Sequence, residues 1–194
     1  MPTWLNEPPF WESIGNELRV RTGPSTDFWN NTFYGFRHDN GHCLATPVTG
    51  DFSSETRFSA DYRTLYDQAG LMLRVDARNW LKAGIEFTDG RLHFSVVVTR
   101  DDRSDWSVTP LADAARHGID MRLTRHGEAV RVQVREAGEP WRLVRLAFLA
   151  MPETVDIGPM CCSPLGDKLD VTFSRFTIGE PISRELHEDT PTEG

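Results

Sequence analysis

The residues best suited to bind or transform a small molecule lie on two strand-like segments near the middle of the chain. In both segments apolar and polar residues alternate, which places one set toward a core and the other on the opposite face. If these strands are neighbours, Gln68, Arg74, Trp80, Lys82 and Glu86 share that second face. An aromatic ring stacks on the C–H face of a sugar, while amide and carboxylate groups take hydroxyl hydrogen bonds. The pattern predicts a groove for a carbohydrate or another small polar ligand.

Further polar and aromatic residues extend this predicted face from adjoining segments. The full predicted ligand-binding set is Tyr66, Gln68, Arg74, Trp80, Lys82, Glu86, His93 and Trp106. The alternative interpretation is that Lys82 and Glu86 form an ion pair on a solvated sheet and that Trp80 covers an edge. Exposed pairs of that kind contribute less than about 1 kcal/mol to stability. Both interpretations stay open from the sequence.

Catalysis at this face would require a second carboxyl group beside Glu86. Retaining glycosidases hold two carboxyl groups about 5 Å apart, and the candidate partners are Asp67 and Asp105, each from another strand. A lyase would instead combine a base and a cation from His93, Tyr66, Lys82 and Arg74. No Gly-x-Ser-x-Gly elbow and no glycine-rich phosphate loop occurs in the sequence. We predict binding rather than catalysis, with a glycan-active enzyme as the alternative.

The sequence only weakly indicates a metal or cofactor site. His38, Asp39 and His42 are close together but need a distant third ligand, and the three cysteines form no Cys-x-x-Cys motif. Cysteines 161 and 162 are adjacent, which disfavours a disulfide between them. We therefore predict no metal, no cofactor and reduced thiols, which indicates a cytoplasmic protein.

Composition excludes several partner classes. The chain has 194 residues and a formal net charge of −8, so its field repels phosphate backbones and anionic lipid. No apolar run approaches the roughly 18 residues that span a bilayer. Seven arginines between positions 116 and 145 are expected on a solvated outer sheet face beside acids. We predict neither a nucleic-acid nor a membrane partner.

The elements that must position these residues are short strands. Period-two alternation recurs along the chain, broken by turn residues every eight to twelve positions, as at Thr88-Asp-Gly-Arg91. About a dozen strands cannot form one open sheet, so we predict an all-β, two-sheet antiparallel sandwich of jelly-roll type. Residues 1–184 form the single predicted domain, and residues 185–194 a flexible tail. The aromatic run from Phe28 to Phe36 is expected in the core or as a lid over one end of the sandwich.

Ordered motifs along most of the chain carry a family resemblance. The motifs are Asp27–Trp29, Tyr34–Phe36, Asp39–Gly41, Val48–Phe52, Tyr66–Met72, Asn79–Glu86, Val96–Thr99, Ser104–Ser107 and Val155–Met160. With these motifs in this order, the sequence from Trp4 to Gly179 resembles the regulation-of-enolase-like domain family of unknown function. This resemblance implies a concanavalin A-like lectin/glucanase sandwich. The family name also suggests a regulatory module of carbohydrate metabolism that binds a metabolic enzyme.

Overall fold

The computed structural model describes residues 1–186. Within this range the chain forms sixteen β-strands and one short 3₁₀ helix, Asp113–His117. The strands are β1 Thr3–Leu5, β2 Phe10–Ile14, β3 Glu17–Arg21, β4 Phe28–Asn30, β5 Arg37–Asp39, β6 His42–Thr49, β7 Phe52–Ala60, β8 Gln68–Arg74, β9 Trp80–Thr88, β10 Arg91–Arg100, β11 Arg103–Pro110, β12 Ile119–His126, β13 Ala129–Arg135, β14 Arg142–Phe148, β15 Thr154–Cys162 and β16 Asp170–Gly179. None of the described helical segments is long and apolar enough to cross a bilayer.

The strands form two seven-stranded sheets and one small hairpin. The front sheet has the order β1-β6-β15-β8-β9-β10-β11, and the back sheet has the order β14-β13-β12-β7-β16-β3-β2. The hairpin consists of β4 and β5. Every strand pair in these sheets is antiparallel. The predicted all-β, two-sheet jelly-roll sandwich is confirmed.

Local sequence explains the central hairpin of the front sheet. Strands β9 and β10 are joined by a two-residue turn in which Asp89 and Gly90 have φ angles of 52° and 72°. Positive φ at both turn positions matches the right-handed twist of the strands. The hairpin predicted from Thr88-Asp-Gly-Arg91 is therefore present, with Thr88 opposite Arg91.

The inward face of the front sheet meets the back sheet in one continuous core. Leu71, Leu73, Leu81 and Ile85 are fully buried there, as the alternation predicts. The two central strands approach each other closely at Gly70 and Gly84, which are paired in register. A Cβ atom at either glycine would collide with the partner strand's backbone, so neither position accepts a side chain without a shift of the strands.

A second, smaller hydrophobic cluster lies on the outer face of the front sheet. Its members are Phe28, Cys43, Met72, Trp80, Val97, Met160 and Cys162. The β4–β5 hairpin covers this face and is tied to it by Asn30, whose side-chain amide donates to the carbonyl of Ala77 (2.9 Å) and to Asp102 (2.8 Å). The front sheet is therefore covered on both faces in this region.

The end of the described chain lies against the back sheet. The guanidinium of Arg131 donates hydrogen bonds to the backbone carbonyls of Ser183, Glu185 and Leu186, at 3.3, 3.2 and 3.2 Å. The rest of the predicted tail, residues 187–194, lies outside the described residues. The single-domain boundary at residue 184 stays a prediction.

Candidate functional site

A cavity of about 320 Å³ opens between the outer face of the front sheet and the β4–β5 hairpin. Its floor is formed by strands of the front sheet, and its walls come from the hairpin and from three loops. The floor residues are Gln68, Lys82, Glu86, Val97 and Trp106. The hairpin supplies Trp29, Tyr34, Phe36 and His38. The loops supply Ser25, Asp27, Tyr66, Pro164 and Leu165.

Strand register places the floor side chains next to each other. Gln68 of β8 lies opposite Glu86 of β9, and Lys82 of β9 lies opposite Val97 of β10. Val97 in turn lies opposite Trp106 of β11. Because side chains directly opposite on one face of a sheet are in contact range, four consecutive strands contribute to one surface.

An ion pair crosses the cavity between the floor and the wall. Lys82 Nζ donates to Asp27 Oδ1 at 3.0 Å, and the same oxygen accepts from Gln68 Nε2 at 3.3 Å and from the backbone N–H of Phe28 at 2.8 Å. Burial lowers the pKa of Lys82, but the attraction of Asp27 and smaller contributions from Cys162 and Glu86 outweigh it, and the net pKa is raised. Lys82 is therefore protonated.

The backbone of Asp27 is held by the second strand of the hairpin and the turn that follows it. Its carbonyl accepts from the N–H groups of Asn40 (3.1 Å) and Gly41 (2.9 Å), and its own N–H donates to Asn40 Oδ1 (3.0 Å). Gly41 is required here because a Cβ atom would collide with the Phe28 ring and with Cys162. These hydrogen bonds hold the motifs Asp27–Trp29 and Asp39–Gly41 together, although nine residues separate them in sequence.

Glu86 is the second carboxyl group in the cavity, and it is 5% exposed. Burial raises its pKa, while attraction to Lys82 and hydrogen bonds from Ser95 and Trp106 act in the opposite direction. The negative charge of Asp27 adds to the upward shift, and the net pKa is raised. The environment of Glu86 thus favours the neutral acid more than water does.

Aromatic rings form the walls. Tyr34 stacks on Phe36 with ring centroids 5.2 Å apart, and Trp29 meets Tyr34 edge-on at 5.9 Å. On the other side Tyr66 contacts Trp106 at 6.4 Å. The hydroxyls of Tyr34 and Tyr66 lie 3.4 Å apart, and this hydrogen bond together with burial raises the pKa of Tyr66 to about 12. The two aromatic walls therefore meet through their hydroxyl groups.

Five of the eight predicted ligand-binding residues line the cavity. They are Tyr66, Gln68, Lys82, Glu86 and Trp106. The placement of Gln68, Lys82, Glu86 and Trp106 follows from the pairing of β8 to β11. Tyr66 lies in the loop that precedes β8.

The other three predicted residues, Arg74, Trp80 and His93, do not line the cavity. Trp80 lies on the predicted face but is fully buried under the hairpin, with its ring 6.2 Å from that of Phe28. Arg74 forms a two-pronged ion pair with Asp39 at 2.8 and 2.9 Å. His93 lies opposite Glu86 on β10 and is buried. The alternation identified their face but not what covers it.

The predicted carboxylate pairs also need correction, because Asp67 and Asp105 do not face Glu86. Asp67 is buried among loops, where it accepts from the N–H groups of Arg63 (3.0 Å) and Thr64 (2.8 Å) and from the Ser163 hydroxyl (2.7 Å). These bonds position the loop that carries Pro164 and Leu165.

Asp105 lies at the sheet edge with its side chain half exposed. It pairs with Arg145 at 3.3 Å and lies opposite Val98, an inward-facing residue. The carboxylate that shares the cavity with Glu86 is Asp27, which is not among the predicted site residues. The sequence feature that points to Asp27 is its place in the motif Asp27–Trp29.

The three residues considered as metal ligands, His38, Asp39 and His42, have different partners in the fold. His38 lines the cavity, and Asp39 pairs with Arg74. His42 accepts a hydrogen bond from the backbone N–H of Gly23 (3.0 Å) and donates one to the carbonyl of Asn6 (2.7 Å). Cys43, Cys161 and Cys162 are free and buried. Among residues 1–186 no group of three or more potential ligands is arranged to hold a metal ion.

The fold and the cavity define a jelly-roll β-sandwich with a small-molecule-sized site on the outer face of one sheet. Residues 4–181 match the family described as Protein of unknown function (DUF1349), and the chain belongs to that family. It is 39% identical to Regulation of enolase protein 1 of Saccharomyces cerevisiae over 96% of this chain and 93% of that protein.

Solved structures support the same fold. A crystal structure of a functionally unknown protein from Saccharomyces cerevisiae aligns with a TM-score of 0.89 at 39% identity, covering 94% of this chain and 97% of that one. The carbohydrate binding module CBM66 from Bacillus subtilis aligns at 0.59 with 13% identity, covering 91% and 95%. Xylan beta-1,4-xylosidase from Bacillus Halodurans aligns at 0.66 with 16% identity, over 84% of this chain but 33% of the enzyme.

Proposed function

We propose that this protein is a binding module for a carbohydrate or a similarly hydroxylated metabolite, and that the ligand occupies the cavity on the front sheet. The observation that carries the proposal is the combination of a hydrogen-bonding floor with aromatic walls in one cavity of about 320 Å³. That volume lies at the lower end of the range for small-molecule sites. The fold shared with a carbohydrate binding module supports the proposal.

Each part of the cavity has a distinct role in this proposal. The rings of Trp106 and Trp29 stack on the C–H faces of the sugar. Gln68 both donates and accepts hydrogen bonds, Lys82 donates, and Asp27 accepts. Glu86 accepts in either form and also donates when it is protonated. Hydroxyl groups, which also donate and accept, are matched by such a mixed set.

Titration calorimetry with xylose, arabinose, glucose, galactose and their disaccharides tests this function. Trp106→Ala is expected to weaken binding at least tenfold, because it removes an aromatic ring from the cavity floor. Trp11→Ala is the matched control, since both indoles are about 40% exposed and each donates one side-chain hydrogen bond. Absence of binding by the wild type, or equal loss in both variants, would overturn the proposal.

A glycan-active enzyme is a second candidate function. The observation that favours it is the presence of Asp27 and Glu86 in the same cavity, with burial raising the pKa of Glu86 as a general acid requires. Hydrolysis of 4-nitrophenyl glycosides by the wild type, abolished in Glu86→Gln and retained in the control Asp105→Asn, would replace binding by catalysis as the function.

A regulatory role toward a metabolic enzyme is a third candidate, favoured by the name of the yeast relative. The probe is purified enolase from the organism that encodes this protein, and analytical ultracentrifugation measures complex formation. A complex that forms equally with wild type and Trp106→Ala would assign this role to a surface other than the cavity. The three free thiols favour a cytoplasmic location, whichever of these roles the protein has.

A further inference from the structure

We infer that the ligand presents an uncharged sugar unit to this cavity, rather than a uronate or a sugar phosphate. The inference rests on the proposed binding function and adds the charge class of the ligand. It follows from the pairing of the two cations on this face of the sheet and from the burial of Glu86.

Lys82 is the ammonium group on the floor, and its charge is already balanced. Its Nζ lies 3.0 Å from Asp27 Oδ1, and the side chains of Lys82 and Asp27 are only 5% and 17% exposed. An anionic group that approached Lys82 would also approach the Asp27 carboxylate. Within a low-dielectric site, like charges at such distances repel strongly. The pair therefore disfavours a carboxylate or phosphate at this point.

The second cation on this face of the sheet is also unavailable to a ligand. Arg74 donates two hydrogen bonds to Asp39, at 2.8 and 2.9 Å, and it does not line the cavity. Planar guanidinium and carboxylate groups match in this two-pronged arrangement, which leaves the arginine fully committed to its partner.

The remaining carboxyl group adds no preference for an anion. Glu86 is 5% exposed, and burial favours its neutral form. An ionised Glu86 would repel an anion, whereas the neutral acid offers one donor and one acceptor to a hydroxyl. In either form the floor suits an uncharged polyol better than an acid.

Matched sugars test the inference by titration calorimetry on the full chain. The probes are glucose, glucuronate and glucose 6-phosphate, and galactose, galacturonate and galactose 6-phosphate. The wild type is expected to bind at least one neutral sugar, and at least tenfold more tightly than its two anionic counterparts. Equal or tighter binding of an anionic member would overturn the inference while leaving the binding function intact. If none of the six binds, the inference fails, and the binding function fails with it only if xylose, arabinose and the disaccharides also do not bind.

Asp27→Asn sharpens the test, because it leaves Lys82 uncompensated in the cavity. The ratio of anionic to neutral affinity is expected to rise at least tenfold in this variant. The double variant Asp27→Asn, Lys82→Met should return the ratio to that of the wild type. Asp39→Asn is the matched control, since it removes the acid of the partly buried Arg74–Asp39 pair outside the cavity and should leave the ratio unchanged. An unaltered ratio in folded Asp27→Asn would overturn the inference, and the comparison in the wild type stands if that variant fails to fold.

Discussion

The outer faces of the two sheets carry similar residue types but differ in environment. On the front sheet, the ion pair Lys82–Asp27 and the ring of Trp80 are covered by the β4–β5 hairpin. On the back sheet, Asp120 contacts Arg57, Arg135 and Arg175, at 3.0, 3.4 and 3.0 Å. The side chains of these three arginines are 35 to 44% exposed.

Aromatic residues differ between the two faces in the same way. Trp141 packs over the back sheet with the guanidinium groups of Arg122 and Arg135 each 4.5 Å from its ring. Trp80 on the front sheet contacts Phe28, and its ring is removed from solvent. Strand alternation therefore selects a face, whereas the covering segments decide whether polar residues there enclose a cavity, as on the front sheet, or form ion pairs with partly exposed arginines, as around Asp120.

The largest expected effect concerns the two tryptophans. Trp80→Ala should lower the free energy of unfolding by about 3 to 5 kcal/mol, because it leaves a large hole in a buried cluster. Trp141→Ala should cost about 1 to 2 kcal/mol, since it removes two cation–π contacts made by a partly exposed ring. Urea unfolding followed by circular dichroism measures both values. Equal costs would contradict the difference in covering between the two faces.

Ion pairs on the two faces should differ by a smaller margin. Lys82→Met should cost about 2 to 4 kcal/mol, because Asp27 is left mostly buried without its cation. Arg175→Met should cost about 1 kcal/mol or less, since Asp120 keeps Arg57 and Arg135. The same unfolding measurement applies. Adding Asp27→Asn to Lys82→Met should recover part of the loss, and a further loss would contradict the explanation.

The smallest expected effect is a pH dependence of the free energy of unfolding that arises from Glu86 on the front sheet. Folding raises the pKa of Glu86 above its ordinary value of 4.5, so the folded state holds the proton more tightly than the unfolded state. This contribution to stability is complete below pH 4.5 and is lost as the pH rises through the folded-state pKa. Subtracting the stability profile of Glu86→Gln from that of the wild type should isolate a contribution that falls with pH. Parallel profiles would contradict the assignment.

Much of the fold could be predicted from the sequence because its determinants are local. Alternation in residues 68–75 and 80–87 predicts the inward residues of β8 and β9. The Asp89-Gly90 turn predicts the hairpin between β9 and β10. The same alternation placed Gln68, Lys82 and Glu86 on one face, and all three line the cavity. Side chains of a strand must point to opposite faces in turn, so such predictions need no tertiary information.

What only the tertiary structure decided is what lies above that face. Asp27 reaches Lys82 across 55 positions of sequence, and Phe28 buries Trp80 from a hairpin that no alternation pattern links to β9. Asp67 and Asp105 are the partners that the sequence offers Glu86 from other strands, yet loop contacts hold Asp67 and an edge position exposes Asp105. The sequence by itself determined the strands and a polar face. Long-range packing converted that face into a cavity with a balanced charge, because burial depends on which distant segment covers a residue.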